Sequence, residues 1–498
     1  MQRLKKLTLK ILNTPLYFWL LVVAVFVVAR LGTWLYPFDS DHWIFYYVGR
    51  IWAQGGTMYV AAWDHKPPLI FVMNGLMYLM FGGNIVWHRI WFTLLSLVDI
   101  GLFWMILKSV LPDLKVKSVD IATKVGLLFY VLWRNLSQFT SSGNNTENVG
   151  LIFFLSMILS YLSFRRDQKW WKMLLSGSCF SILFFLKGNF LLLGVPLGIL
   201  LLIDNWKSLR RFFGFGFLFV TPLVLQAIFW AWYFASKGAL NDFFIASFQF
   251  SAKYSASAWQ GGLSNMTVFY ILLAIASPLI IFGPILFVTE LWRNRTKEFL
   301  FWVLMILTGS FAFFAVGVPY LYYFEIMMPV YVLAATYLIF KESRGPKLLY
   351  FGYIGLFTLG IILSIGLSTF QIRNTITGSV KVESDEYREI AAYVRDRTAP
   401  TDKVFAYDYG ATFYRLAERD SGSRFISASV LLLENRDNYG LHFDDLFISE
   451  MEKSQTKYVV VYKDRDTLYY DNKPLVDYFD SHYILEKDFT KFSVLRRR

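Results

Sequence analysis

The sequence predicts a polytopic α-helical membrane protein with a small α/β domain at its C-terminal end. Three observations predict it. First, 56% of the 498 residues are hydrophobic and 19% aromatic, while only 17% are charged. A soluble chain carries roughly 25% charged residues and cannot hide this much apolar surface. Second, long apolar runs recur from residue 1 to about 370, separated by short basic clusters. Third, the character changes after about residue 371, where 42 of 128 residues are charged and no long apolar run remains. These features exclude a soluble enzyme for most of the chain, and a disordered protein.

Charge is placed unevenly. Residues 1–370 hold 29 Lys and Arg against 14 Asp and Glu, and residues 371–498 hold 20 against 22. The basic surplus lies wholly in the apolar part, as expected of Lys and Arg held in cytoplasmic loops. It forms no basic stripe with interleaved aromatics, so no nucleic-acid partner is expected. The single cysteine, Cys179, excludes an internal disulfide framework.

The elements follow from parity. A basic N-terminus (Arg3, Lys5, Lys6, Lys10) precedes an apolar run from about Leu16 to Tyr36, read as a first span with the N-terminus cytoplasmic. Basic clusters at 108–124, 165–172, 207–211, 293–297 and 341–347 should also be cytoplasmic. The apolar stretch 67–83 opens on Pro67-Pro68, is about 17 residues long and ends Gly82-Gly83, so it reads as a juxtamembrane or re-entrant segment. Residues 37–83 then form one long external loop, and 84–107 returns to the cytoplasm. Further spans follow near 121–135, 148–164, 173–186, 188–203, 212–234, 267–288, 299–317, 321–340 and 348–370. That makes about eleven, a membrane domain over 1–370, and a C-terminal domain over 371–498 on the outer face. In that domain helical stretches (Glu386 to Arg397, Thr412 to Arg419) alternate with strand-like runs (Val404 to Tyr407, Tyr458 to Tyr462, Phe492 to Leu495).

This topology gathers polar residues at one face. The first external loop holds Asp39, Asp41, His42, Arg50, Asp64, His65 and Lys66. The second, about 135–147, ends on Glu147, and Lys187 lies between two short spans at the outer side. Charges at membrane depth are costly and usually face a cavity or a partner. Plainer roles compete: Asp39 or Asp41 as the N-cap of the helix from Trp43, Lys66 snorkelling to headgroups, Glu147 as a first-turn acid favoured by the helix dipole. Arg30, Arg50 and Arg89 could bind lipid phosphates, and His88 reads as structural.

The run Asp41-His-Trp-Ile-Phe-Tyr-Tyr-Val-Gly-Arg-Ile-Trp-Ala-Gln-Gly-Gly56, then Met58-Tyr59 and Trp63-Asp-His-Lys-Pro-Pro-Leu69, resembles one family. It is similar to the bacterial protein-O-mannosyltransferase-like glycosyltransferases, a branch of the GT-C superfamily that includes aminoarabinose transferase. Asp41 stands at the family's first acid, fourteen residues before Gly55. The likeness extends to His88-Arg89, Asn145-Thr-Glu147, Leu186-Lys-Gly188, Tyr322-Tyr-Phe-Glu-Ile-Met-Met-Pro329 and Arg395 to Ala406. One position departs: many relatives carry an Asp-Glu pair where this chain has Asp41-His42.

The resemblance implies a plasma-membrane glycosyltransferase that moves a sugar from a polyprenyl-phosphate donor to an acceptor hydroxyl on a glycan, lipid or protein. The leaving phosphate needs cations, for which Lys66, Lys187 and Arg89 are the candidates. The acceptor needs a base, for which Asp41 is the choice. Glu147 would hold the acceptor or ligate a cation, and Tyr59, Tyr323, Asp39, His42 and His65 would support the site. No cofactor is certain; a divalent ion is one option, held by His65 or Glu147, because His65 stands where some relatives have a metal-binding Glu. A lipid transporter or flippase is the alternative, and would place its polar residues at the bilayer midplane within repeated halves. A non-catalytic lipid-binding scaffold would not need the Asp41 and Lys66 constellation.

Overall fold

Uninterrupted apolar runs fold as helices, and the charged C-terminal segment as a mixed sheet flanked by helices. The computed structural model describes residues 10–35, 38–141, 143–254, 297–314, 320–341, 347–378, 385–407, 410–426, 443–463 and 473–498. The expected span at 267–288 and the basic positions Arg3, Lys5, Lys6, Arg293, Arg295 and Arg344 lie outside them.

In chain order the helices are α1 (Pro15–Leu35), α2 (Ser40–Ala53), α3 (Leu69–Phe81), α4 (Ile85–Val110) and α5 (Val119–Arg134). Then come α6 (Thr146–Asp167), α7 (Trp170–Leu186), α8 (Val195–Asp204), α9 (Leu209–Ser236) and α10 (Lys297–Phe314). After them stand α11 (Met328–Phe340) and α12 (Lys347–Ile376), and then α13 (Asp385–Arg395), α14 (Gly410–Ala417), α15 (Phe443–Lys453) and α16 (Lys473–His482). The strands are β1 (Lys403–Ala406), β2 (Asp420–Ser421), β3 (Tyr458–Tyr462), β4 (Tyr483–Asp488) and β5 (Phe492–Arg497).

Two units divide these elements. The first takes residues 1–37, 85–230 and 254–380, the second 38–84, 231–253 and 381–498.

In the first unit α6 and α7 form an antiparallel hairpin, α4 packs on α6, and α5 on α11. Phe154, Ile158, Leu183, Leu193, Met327 and Leu333 lie in its core. Its outer surface is also apolar: Phe213 and Phe217 of α9 are 67% and 73% exposed. Water does not tolerate such a surface, and lipid does. Among the described residues, five helical segments are long and apolar enough to cross a membrane (15–35, 85–110, 146–167, 209–236 and 321–340), and shorter apolar helices accompany them. The protein is a multi-pass membrane protein. Helix α12 runs to Ile376, past the boundary expected at 370. The apolar run ends at Phe370, but Gln371 to Ile376 keep the backbone hydrogen-bonding of the helix.

In the second unit α2 packs against α3. The two backbones nearly touch: a Cβ on Gly49 would lie 2.6 Å from the Gly75 nitrogen, and one on Gly75 would lie 2.5 Å from the Trp52 ring. Helix α3 has 13 residues, about 20 Å, too short for a hydrocarbon core of about 30 Å. That length and the flanking Pro and Gly residues agree with a juxtamembrane or re-entrant segment. The sheet order is β2-β1-β3-β5-β4. β1 runs parallel to β2 and β3, and β5 antiparallel to β3 and β4. Val404 to Ala406 and Tyr458 to Val461 are buried without alternation, as parallel strands covered on both faces require.

Candidate active site

The sequence-predicted residues divide between the two units. In the second unit, Asp39 is the N-cap of α2: its backbone is extended and its Oδ1 accepts from the His42 N–H at 2.9 Å. Asp41 therefore sits inside the first turn rather than at the cap, where the helix dipole favours a carboxylate. His42 is fully buried and stacks on Phe38 with ring centres 3.7 Å apart, so it fixes the helix start. Tyr59 adopts a left-handed backbone, with φ of 68°. Its buried hydroxyl donates to the Lys66 carbonyl at 2.9 Å and accepts from Ser247 Oγ at 3.1 Å. Burial pushes the Tyr59 phenol well above its ordinary pKa, which keeps it a donor.

Lys66 follows directly from that hydroxyl. Its Nζ lies 2.9 Å from Nε2 of His65. An ammonium only donates, so Nε2 accepts and the imidazole proton is on Nδ1, which faces Asp64 Oδ1 at 3.4 Å. Burial and then Lys66 hold the His65 pKa below its ordinary value, against Asp64 and Asp41, which raise it. Burial alone would raise the Asp64 carboxyl, but His65 and Lys66 outweigh it and bring it down to about 2. The result is a row of carboxylate, neutral imidazole and ammonium. Asp41 is near enough for its charge to be felt at His65.

The C-terminal segment holds this loop in place. Trp63 N–H donates to the Arg424 carbonyl at 2.8 Å. The Arg424 guanidinium binds Asp242 at 2.7 Å, Glu450 at 2.6 Å and the Tyr59 carbonyl at 3.2 Å. Arg50 pairs with Asp420 at 2.5 Å. Sequence reasoning did not assign these roles, because each joins residues far apart in the chain.

In the first unit the structure brings together three predicted residues. Lys187 interrupts the chain between α7 and a 3-10 turn, with φ of −158° and ψ of 118°. That extended residue turns its ammonium to Glu147 Oε1 at 2.5 Å and sets it 3.4 Å above the Tyr323 ring. Both charged side chains are buried. Asn145, whose Oδ1 accepts from Asn148 N–H at 2.6 Å, caps α6 and leaves Glu147 in the first turn. Arg89, by contrast, donates to the Thr33 carbonyl at 2.7 Å, a role in joining α4 to α1.

A second cluster was missed. Arg134 is fully buried at the end of α5 and donates from Nε and Nη2 to Asp99 at 2.9 and 2.8 Å. It also donates to Glu325 and to Asn148, and Tyr130 donates to Asp99 at 2.9 Å. One guanidinium thereby ties α4, α5, the start of α6 and the turn carrying Tyr323. The available signal was a lone charge inside each of three apolar runs, which marks a functional or partnered site in a membrane helix.

The divalent-ion option meets a poor donor set. His65 turns Nε2 to an ammonium and Nδ1 to Asp64, and Glu147 accepts from Lys187. Among the described residues no group of three or more His, Cys, Asp or Glu side chains is placed to hold a metal. A hard cation needs several oxygen ligands, so these residues do not fit one.

A family model described as "Putative competence-induced protein Ccs4 C-terminal domain" matches residues 384–498, the segment with the five-stranded sheet. No curated protein sequence matches the chain. Solved structures do. ArnT from Cupriavidus metallidurans bound to undecaprenyl phosphate is similar at a TM-score of 0.56 and 12% identity, over 97% of this chain and 98% of that one. The oligosaccharyltransferase AglB from Archaeoglobus fulgidus, in complex with an inhibitory peptide and a dolichol-phosphate, is similar at 0.53 and 10%, over 96% and 74%. The Archaeoglobus fulgidus enzyme complexed with Zn and sulfate gives 0.54 and 12%, over 92% and 71%. The chain shares its fold with ArnT and with the archaeal oligosaccharyltransferase.

Proposed function

We propose that the protein transfers a sugar from a polyprenyl-phosphate donor to an acceptor hydroxyl on the outer face of the membrane. The fold supports the class, since ArnT, similar over nearly its full length, was solved with undecaprenyl phosphate. The observation that carries the reading is the state of Lys66. Its ammonium rests on a neutral imidazole, not on a carboxylate. An ammonium has three N–H donors, and the charge-assisted bonds to a phosphate go to the ones that His65 does not take.

Asp41 is the base. It takes the acceptor's hydroxyl proton as the oxygen attacks the anomeric carbon. The bond to the phosphate oxygen breaks, and its electron pair leaves with the polyprenyl phosphate. Lys66 stabilises the charge that develops there. Such a single displacement inverts the anomeric centre. In the first unit Lys187 is a cation able to bind a phosphate, shared with Glu147 and held by the ring face of Tyr323. Asp39 and His42 fix the start of α2 and so the position of Asp41. Tyr59 fixes Lys66 through its carbonyl.

The experiment is to incubate purified protein, with a cell-envelope extract as acceptor, with polyprenyl phosphates carrying different labelled sugars. Release of polyprenyl phosphate from one of them, lost in Lys66→Ala, is the expected result. Donor that stays intact with every sugar, in a preparation that binds it, contradicts the reading.

A further inference from the structure

Among the described residues of the first unit there is a half-open cavity of about 430 Å³ away from the residues discussed above. It lies where α4, α6 and α8 end and α9 begins. Its walls carry three guanidiniums, from Arg165, Arg166 and Arg211, against two carboxylates, from Asp113 and Asp204. Phe301 and Trp302 of α10, 1% and 2% exposed, form part of its floor.

The charges are not balanced inside it. Asp204 is shared by Arg165 at 2.7 Å and Lys297 at 3.0 Å. Asp113 pairs with Arg166 at 2.8 Å. The Arg211 guanidinium makes no hydrogen bond or ion pair among the described residues. Three guanidiniums thus line the cavity against two carboxylates that are already paired, with an aromatic floor beneath. Arginine presents a planar fork of donors that matches phosphate oxygens. Arg211 also stands in the first turn of α9, whose Phe213 and Phe217 face outward into the lipid.

We propose that this cavity binds the phosphate-bearing headgroup of an anionic membrane lipid, with Arg211 as the cation that the phosphate completes. The headgroup sits among the arginines, and the acyl chains run along the exposed apolar face of α9. A free phosphate shares the headgroup chemistry but gains nothing from that face. The site requires neither a sugar donor nor Asp41, so it stands or falls independently of the proposed reaction.

The test is calorimetric titration of the purified full-length protein in a non-ionic detergent. The probes are dihexanoyl phosphatidate, dihexanoyl phosphatidylcholine and inorganic phosphate. The expected result is one saturable phosphatidate site, at least about tenfold tighter than either other probe. Arg211→Ala should weaken it about tenfold, the scale of one charge-assisted contact, with the melting temperature unchanged. Lys66→Ala should leave it as it is. Phosphatidate binding no tighter than inorganic phosphate overturns the lipid assignment. Parent-like affinity in Arg211→Ala, or loss in Lys66→Ala instead, overturns the site.

Discussion

Lys66 is held by its own neighbour: its Nζ lies 2.9 Å from Nε2 of His65. Adjacent side chains meet this way because the backbone is drawn in at both ends, by Tyr59 Oη on the Lys66 carbonyl and by Asp64 on the Lys66 N–H at 3.3 Å. Lys66→Ala should therefore fold normally and bind the donor phosphate more weakly by about 1.5–3 kcal/mol, the scale of a hydrogen bond to a charged group. His65→Ala should weaken binding less, since it removes the support and not the contact. Equilibrium binding of a labelled polyprenyl phosphate checks both; equal affinity in Lys66→Ala and the parent would make Lys66 only an anchor.

The same pair sets a pH dependence. His65 has a folded pKa below its unfolded value of about 6.5, so the unfolded state binds more protons as the pH falls. Its contribution to stability is complete above about pH 6.5 and is lost below it. The melting temperature should fall between pH 7 and pH 5, and fall less in His65→Gln. Asp64, down at about 2, adds a loss only below its unfolded pKa of about 3.9. Equal slopes for parent and His65→Gln would remove His65 from this account.

Glu147 and Lys187 are buried partners at 2.5 Å. Removing one leaves an uncompensated charge, at a cost of about 3–5 kcal/mol. Glu147→Leu and Lys187→Met should each lower thermal stability markedly, while the double variant recovers much of it, because an apolar pair of similar volume replaces the ions. The double variant should still transfer no sugar. Recovery of turnover along with stability would reduce the pair to a structural role.

Most helices were legible because apolar runs alternate with basic clusters, but the single span expected at 188–203 divides into a 3-10 turn (Gly188–Gly194) and α8 (Val195–Asp204). The run expected at 148–164 is α6 (Thr146–Asp167), and that at 173–186 is α7 (Trp170–Leu186). Glu147 and Lys187 each stood out as polar residues at the end of a span, but parity tells which end a residue occupies and not which neighbour it meets. Their pairing needs α6 and α7 to pack side by side. The cluster of Asp99, Arg134 and Glu325 was harder, since each is a single charge in an apolar stretch and the three are separated by 35 and 191 residues. Strand order was not legible: β2 has two residues, and among the pairings only the β4–β5 hairpin is local. The choice between Asp39 and Asp41 as cap depends on one backbone residue being extended, and both satisfy the sequence preference.

Orientation can be read by labelling, on a background whose one native cysteine, Cys179, is buried. Cysteine at Lys115 should react only with membrane-permeant reagents, and cysteine at Lys473 with impermeant reagents on whole cells. Impermeant labelling at Lys115 would reverse the expected parity and remove the loop at 37–83 from the outer face.

The proposed transfer depends on Asp41 as its base. The structure separates it from the cap, which is Asp39. Asp39→Ala should lower stability by about 0.5–2 kcal/mol, while Asp39→Asn, which still caps, should be nearly silent. Asp41→Asn keeps the shape and should keep the melting temperature, but an amide cannot take the acceptor's proton. The decisive measurement is the turnover of Asp41→Asn with a saturating polyprenyl-phosphate sugar, alongside the parent and Asp39→Asn. A fall of roughly 10²–10⁴-fold confined to Asp41→Asn is the predicted result; near-parental turnover in Asp41→Asn would contradict it.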